Sequence, residues 1–171
     1  MKVGFVIDDH MGRPGGVQEY IRGLRQYLRS EGHTSVVFTG AGGPPEDQVI
    51  PLGISLPLRG SGSSTSVACT LHSPARLRSI LEREAGDVLH VMAPYSPTLS
   101  GRLLMQSSAA HVMTFLVAVE PAWYRRLLIP TARAQWRSLA RFHRRVAISR
   151  AALQSAQPVY PGDYELLPVG M

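Results

Sequence analysis

The sequence predicts an α/β fold, a Rossmann-like, doubly wound parallel sheet in a single domain. Residues 2–7 form a nearly continuous apolar run, as in strands that are covered on both faces. A glycine-containing turn follows, and from Gly16 the apolar spacing becomes that of a helix. Strand-like and helix-like segments alternate along the rest of the 171 residues, and right-handed crossovers arrange such a chain as a parallel sheet.

The first helix has the clearest pattern. Its apolar residues Val17, Ile21, Leu24 and Leu28 recur on one helical face. Gly32 stands where the glycine that follows a helix C-terminus is expected. The segment therefore predicts one amphipathic helix that covers the sheet.

The next part of the chain is predicted to be less regular. A strand over 34–39 leads into a loop over 40–47, which contains three glycines and two prolines. Residues 49–58 are strand-like, but their prolines indicate an edge strand or an irregular segment. The Gly/Ser-rich stretch 60–66 is expected to be a mobile loop.

Regular alternation returns in the second half. Ser73 and Pro74 are the N-cap and first residue of a predicted helix that ends near Gly86. The later elements expected are strands over 87–92, 111–119, 146–148 and 164–167, and helices over 96–108 and after Ser149. Because ligands of such folds bind at the carboxyl ends of the strands, four loops matter most. These are residues 8–16, 40–47, 93–97 and 116–121.

Charge and cysteine content indicate the kinds of partner and compartment. The formal net charge is +6 and the pI about 10.1, which favours anionic partners such as phosphorylated ligands or acidic lipids. A solvated, arginine-rich surface explains the charge equally well. The single cysteine, Cys69, allows no intrachain disulfide. The start of the sequence lacks the apolar core of a signal peptide, so we do not expect one. We therefore expect a cytoplasmic protein.

Residues 125–145 combine many arginines with Trp136 and several leucines. This pattern suits an anionic lipid surface, so peripheral attachment at the inner membrane face is one interpretation. We favour the other, an amphipathic helix with a solvated basic face, interrupted at Pro130. The sequence contains no nucleic-acid-binding motif, and a nucleic-acid partner is not expected.

The glycine pair Gly15–Gly16 opens the first helix and exposes backbone N–H groups at its positive end, where a phosphate can bind. A tight turn without a ligand is an equal alternative. The turn matches neither the dinucleotide fingerprint nor the P-loop motif. No histidines have metal-ligand spacing, so we expect no metal site. Nothing in the sequence resembles a nucleophile elbow or a clustered catalytic triad.

Six segments in order resemble the family 4 glycosyltransferases. The first is Pro14 to Gln18, a Pro-Gly-Gly-Val-Gln turn that opens the first helix. The others are Asp87–Val91, Pro94–Ser100, Met113–Phe115, Val146–Ser149 and Leu167–Met171. Within the family, the segments resemble those of the phosphatidylinositol mannosyltransferases.

The resemblance implies a GT-B enzyme, in which two Rossmann-like domains face each other across a cleft. Such enzymes transfer a sugar from a nucleotide diphospho-sugar to an acceptor hydroxyl with retention of anomeric configuration. They use no metal, and the nucleotide sugar is a substrate rather than a cofactor. On this template Gly15 and Gly16 approach the donor diphosphate, and Gln18 lies near the acceptor.

Four more polar residues are expected to contact the acceptor because they follow predicted strands: Asp9, His10, Tyr95 and Glu120. The chain also departs from the family pattern. Leu116 replaces the family histidine, so we predict no catalytic residue in this chain. Ala93 replaces the family glutamate, and Val169 replaces its asparagine.

Met171 lies where the interdomain linker of the family begins. We therefore expect residues 1–171 to be the N-terminal, acceptor-side domain, inactive without the donor domain. The alternative, motivated by Leu116 and Ala93, is a catalytically dead binding or regulatory protein on a glycosyltransferase fold.

Overall fold

The computed structural model describes residues 1–40, 47–60, 63–117, 129–130 and 135–168. The strands are β1 (Lys2–Ile7), β2 (Thr34–Thr39), β3 (Val49–Pro51), β4 (Ile54–Gly60), β5 (Ser63–Cys69), β6 (Val88–Ala93), β7 (Ala110–Phe115), β8 (Arg144–Ala147) and β9 (Glu165–Leu166). The helices are α1 (Gly16–Ser30), α2 (Pro74–Glu84), α3 (Ser100–Gln106), α4 (Trp136–Leu139) and α5 (Arg150–Ala156).

Seven strands form one parallel sheet in the order β3-β2-β1-β6-β7-β8-β9. This confirms the predicted doubly wound fold. The chain moves in one direction from β1 to β2 and β3, and in the other from β6 to β9. The switch point, where ligands of such sheets bind, therefore lies between β1 and β6.

The two faces of the sheet follow from the alternation of side chains along β1. Val3, Phe5 and Ile7 point to the face covered by α1 and pack in one apolar cluster with its Ile21. Val6 packs in the second cluster, on the opposite face, with residues from α2, α3, α4 and α5. We call these the α1 face and the opposite face.

Helix α1 has the bounds and the buried side that its pattern predicts. Ile21 is fully buried, and Val17, Tyr20, Leu24 and Leu28 pack around the α1-face core. Gly32 has a φ of +75°, the left-handed conformation that ends many helices and that glycine adopts without strain. The predicted caps are also present: Ser73 Oγ accepts from Arg76 N, and Ser149 Oγ accepts from Ala152 N.

The prediction of a loop over 60–66 is wrong for the described residues of that stretch, because residues 63–66 belong to β5. Strands β4 and β5 form a separate antiparallel hairpin, in register from Ile54↔Cys69 to Gly60↔Ser63. Serine and glycine have weak strand propensity on their own, so composition suggested a loop. Ladder pairing with β4 supplies the stabilisation that local propensity lacks.

The predicted strand over 49–58 is also two elements. Residues Val49–Pro51 join the edge of the main sheet as β3, and the chain turns at Gly53 into the hairpin. A Cβ on Gly53 would lie 1.8 Å from the carbonyl oxygen of Cys69, so only glycine fits this turn. The predicted helix over 96–108 is shortened to α3, which follows a turn in which Leu99 N donates to Ser96 Oγ.

No helix in the described ranges combines the length and the apolar composition that crossing a bilayer requires.

Two glycines allow a matched test of the packing. A Cβ on Gly4 of β1 would lie 2.5 Å from Ala85 Cβ and 2.8 Å from Phe38 Cε2, whereas a Cβ on Gly23 of α1 would meet nothing within 4 Å. We expect Gly4→Ala to lower the free energy of unfolding by about 1–3 kcal/mol through overpacking. Gly23→Ala should raise it by up to about 1 kcal/mol through helix propensity. Urea unfolding measures both, and equal effects would contradict the packing described.

Candidate functional site

A groove of about 770 Å³ lies on the α1 face, between helix α1 and the carboxyl ends of β7 and β8 and the segment that follows β9. Ligands of open parallel sheets bind at this edge, so the groove is the candidate site. It is lined by Gly16, Val17, Glu19, Tyr20, Gly23, Leu24, Leu116, Val117, Ile148, Leu167 and Pro168.

The glycine turn forms one end of the groove. Gly15 is the N-cap of α1 and provides no side-chain cap, while its carbonyl oxygen accepts the Glu19 N–H at 3.0 Å. Gly16 is exposed, and a Cβ on it would meet no atom within 4 Å. Gly16 therefore leaves open space at the first turn of the helix, where unpaired N–H groups and the helix dipole favour negative charge.

Gly15 has a different role from Gly16. A Cβ on Gly15 would lie 2.5 Å from Gln18 Oε1, so the missing side chain makes room for Gln18 rather than for a ligand. Gln18 is 4% exposed, and its Nε2 donates to the His10 carbonyl oxygen at 3.3 Å. The predicted acceptor residue Gln18 thus fastens the loop after β1 to the helix from inside.

Asp9 and His10 lie together in the loop after β1. Asp9 Oδ2 pairs with Arg13 at 2.8 Å, and Asp9 Oδ1 accepts the His10 N–H at 2.9 Å. Ser66 Oγ of the hairpin also donates to Asp9 Oδ1, at 3.3 Å. His10 Nδ1 is shielded from solvent and has no hydrogen-bond partner within the described residues. Both side chains are half-buried and stand beside the hairpin.

Tyr95 and Glu120 are not brought to this loop. Tyr95 is 5% exposed: its ring stacks on Tyr160 with centroids 5.4 Å apart, and its hydroxyl lies 3.1 Å from Ser138 Oγ. Burial raises the pKa of Tyr95 to about 12. The side chain belongs to the opposite-face core, together with Leu99 of the same segment. Glu120 lies outside the described residues.

Leu116 is half-buried in the groove and packs against the α1-face core. The position that the resemblance assigns to histidine is therefore an apolar wall. Beneath it runs a row of polar side chains: Tyr20 bonds to Thr114, and Thr114 Oγ1 lies 2.7 Å from His90 Nε2. Burial lowers the pKa of His90 to about 4, so this imidazole is neutral at physiological pH.

Asp8 holds the loops beside the candidate site, and it was not identified from the sequence. It is 8% exposed at the end of β1, and its carboxylate accepts from Ser96 N, from Ser96 Oγ at 2.8 Å and from Ser100 Oγ at 3.0 Å. Burial raises the pKa of Asp8 to about 6, although the hydrogen bonds from Ser96 and Ser100 act in the opposite direction. Strand alternation from Val6 was the available signal, since it places residue 8 on the opposite face of the sheet, in line with Val6.

The chemistry of the groove follows from its lining. Leu24, Leu116 and Ile148 supply aliphatic walls, and Glu19 supplies a carboxylate at the edge that pairs with Arg22 at 2.6 Å. Within the described ranges, no group of three or more His, Cys, Asp or Glu side chains is placed to hold a metal ion. The arrangement can bind an anion at Gly16 and an uncharged group against the walls.

The arginines of residues 125–145 that the structure describes have identified contacts. Arg141 donates to the Ser107 carbonyl oxygen, Arg145 donates to that of Leu139, and Arg144 lies 3.5 Å from Glu165. Helix α4 ends at Leu139, so the amphipathic helix favoured from the sequence does not continue to residue 145. Residues 125–128 and 131–134 of that prediction lie outside the described residues. Trp136 is 63% exposed, with the Arg137 guanidinium 5.6 Å from its ring centroid.

Comparison with known proteins agrees with the resemblance. The family model described as Glycosyltransferase Family 4 matches residues 14–170. A phosphatidyl-myo-inositol mannosyltransferase of Mycolicibacterium smegmatis is 32% identical over 120 residues, which are 67% of this chain and 30% of that protein. One of the same name from Propionibacterium freudenreichii subsp. shermanii is 27% identical over 108 residues, which are 58% of this chain and 28% of that protein. The matched region thus spans less than a third of either relative.

Asp8 and His90 predict opposite responses of stability to pH. The raised pKa of Asp8 gives stability that is complete below pH 3.8 and is lost as pH rises through about 6. The lowered pKa of His90 gives stability that is complete above pH 6.5 and is lost as pH falls through about 4. Each shift corresponds to about 3 kcal/mol. Between pH 4 and 6 the two slopes oppose each other.

We therefore expect Asp8→Asn to lose stability on acidification more steeply than the wild type, because the opposing contribution of Asp8 is removed. Urea unfolding at pH 4, 5, 6 and 7 measures this difference, which should approach about 3 kcal/mol across the range. Asp9→Asn, which changes the neighbouring half-buried carboxylate, is the matched control. Parallel pH curves for wild type and Asp8→Asn would contradict the prediction.

Proposed function

The chain belongs to glycosyltransferase family 4, and from this premise we propose that it is the acceptor-side domain of a retaining glycosyltransferase. The proposed reaction moves a sugar from a nucleotide diphospho-sugar to an acceptor hydroxyl. On this proposal the nucleotide sugar binds mainly to a second domain, so the 171 residues do not turn over alone. No metal or cofactor is part of the proposed mechanism.

The observation that carries the proposal is the open N-terminus of α1 at the groove. A Cβ on Gly16 would meet no atom within 4 Å, and no side chain caps the first N–H groups of the helix, so both features support a phosphate position there. In the proposed mechanism these donors stabilise the charge that develops on the departing diphosphate. Preorganised dipoles of this kind stabilise a transition state because they need no reorganisation during the reaction.

The acceptor is proposed to bind beside the loop after β1, where Asp9 and His10 offer half-buried polar side chains. Gln18 supports this wall from inside through its bond to the His10 carbonyl oxygen. The names of the two relatives make a mannosyl group the first sugar to test and phosphatidyl-myo-inositol the first acceptor.

The test is Gly16→Trp in the full-length protein that contains this chain. A Cβ at Gly16 meets open space, so the substitution starts without a clash, and its indole is expected to block the proposed diphosphate position. We expect a loss of transfer of at least about 100-fold, the scale of removing preorganised donors. The assay follows radiolabelled sugar transfer from a panel of nucleotide sugars that includes GDP-mannose.

Ser30→Trp is the matched control, since Ser30 is exposed at the far end of the same helix. It should keep wild-type activity, and both variants should unfold at wild-type urea concentrations. Wild-type activity in Gly16→Trp would exclude the proposed diphosphate position.

A second candidate is a catalytically dead binding or regulatory protein on the same fold. Leu116 favours it, because an apolar side chain in the groove cannot donate a hydrogen bond to a sugar or transfer a proton. Absence of turnover with every donor in the panel, despite an intact second domain, would support this alternative over the enzyme.

We also propose peripheral attachment to an anionic membrane through residues 125–145. Support comes from Trp136, whose exposed ring adjoins the Arg137 guanidinium, a pairing typical of interfacial segments. Trp136→Ala should reduce co-sedimentation with vesicles of phosphatidylcholine and phosphatidylserine by roughly tenfold, the loss expected when an aromatic anchor is removed. Tyr27→Ala, which removes an exposed aromatic from α1, is the control. Binding that ignores both salt and anionic lipid would contradict the proposal.

A further inference from the structure

Asp8 occupies the switch point between β1 and β6, where the loops that follow these two strands meet. Its carboxylate accepts hydrogen bonds from Ser96, in the loop after β6, and from Ser100, the first residue of α3. Its backbone carbonyl oxygen accepts from Ser55 Oγ of the hairpin at 2.8 Å. One residue therefore contacts three separate parts of the chain.

The same cluster extends into the second hairpin strand. Ser96 Oγ, besides contacting Asp8, lies 3.0 Å from the carbonyl oxygen of Ala68, and Thr98 Oγ1 also donates to that oxygen. A Cβ on Gly40, after β2, would lie 2.3 Å from Ala68 Cβ, so the hairpin sits directly on the sheet edge. The hairpin and the loop after β6 are thus packed around one carboxylate.

Asp8 cannot contact a ligand in the groove. Side chains alternate along β1, so Ile7 lies on the α1 face beside the groove and Asp8 points to the opposite face. Both carboxylate oxygens already accept hydrogen bonds, and the residue is 8% exposed. Any effect of Asp8 on the site must act through the loops that it holds.

Those loops carry the groups assigned to the site. The loop after β1 begins at Asp8, continues through Asp9 and His10 and ends at the glycine turn. Its far end is fastened by Gln18 and by Arg22, which donates to the Met11 carbonyl oxygen. Asp8 holds the near end of the same loop in place through its hydrogen bonds with Ser96 and Ser100.

We propose that Asp8 is a positioning residue: its carboxylate joins the loop after β1, the loop after β6 and the hairpin into one rigid wall of the site. Without it, the wall that carries Asp9 and His10 moves relative to the glycine turn. The coupling of the loops is a property of this chain, and its effect on sugar transfer rests on the proposed function.

The chain provides a control of the same chemistry at the other end of the same strands. Asp87, just before β6, accepts the Lys2 N–H at 2.6 Å. This bond also joins β1 to β6 through a carboxylate, but at the amino edge of the sheet, away from the site. Loss of the Asp87 bond should leave the site loops unchanged.

Hydrogen–deuterium exchange of the 171-residue chain tests the coupling. Asp8→Ala should speed exchange roughly tenfold in peptides covering 8–15 and 94–100 and leave α5 unchanged, because local opening exposes these loops alone. Asp8→Asn keeps an acceptor oxygen for Ser96 N and should stay within about threefold of wild type. Asp87→Ala should change neither loop. Unchanged loops in Asp8→Ala, or an equal increase throughout the chain, would overturn the proposal.

Ser100→Ala removes one donor and leaves the carboxylate, and it replaces Asp8→Ala if that variant does not fold. A smaller increase confined to the same two peptides is then expected, and no increase overturns the proposal.

Transfer kinetics of the full-length protein, with GDP-mannose and phosphatidylinositol vesicles as probes, test the consequence. Asp8→Ala should raise the acceptor KM roughly tenfold more than the donor KM, since the acceptor wall is displaced, and Asp8→Asn should restore it. Equal changes in both KM values would refute a positioning role. If the wild type transfers nothing, the proposed function fails, and the exchange result still decides the coupling.

Discussion

The handedness of the strand crossovers decides where the described helices lie, and with them the site. A right-handed connection from β1 to β2 places α1 on one face, whereas connections that move the other way place helices on the opposite face. The apolar clusters agree: α1 packs on one side of β1, and residues of α2, α3, α4 and α5 pack on the other. The groove lies on the α1 face, between that helix and the segments that follow β7 and β8.

Most of the fold could be predicted from the sequence because its signals are local. Residues 2–7 are a nearly continuous apolar run, and residues 34–39 contain the apolar triplet Val36–Phe38. Ser73, Ser149 and Gly32 mark helix ends by their own chemistry. The hairpin could not be predicted, because its stabilisation comes from pairing across the chain. Ser63 to Ser66 has weak strand propensity and becomes a strand only opposite β4.

The site was predictable at the level of loops and not of side chains. The loops after β1 and β6 do meet at the carboxyl edge, as parallel topology requires. Asp8 and Asp9 are adjacent identical residues, yet one is buried under Ser96 and the other pairs with Arg13 in the half-buried loop. Gly15 and Gly16 differ in the same way. The missing side chain of Gly15 makes room for Gln18, whereas a side chain on Gly16 would begin in open space. These distinctions depend on tertiary contacts that neither composition nor spacing contains.

The weak binding of an anion at the exposed N-terminus of α1 explains why this groove needs a second protein surface to bind a diphosphate. An exposed helix N-terminus stabilises a negative charge by only about 0.3–1 kcal/mol, because water screens the dipole. Gly16 is exposed, so its N–H groups alone give weak diphosphate binding. The same donors act far more strongly where water is excluded, since a lower dielectric strengthens each electrostatic term. The aliphatic side chains of Leu116 and Ile148 can exclude water only when another surface closes over them. The rigidity of the loops around Asp8 then matters, because a facing surface gains from donors whose positions are fixed before the ligand arrives.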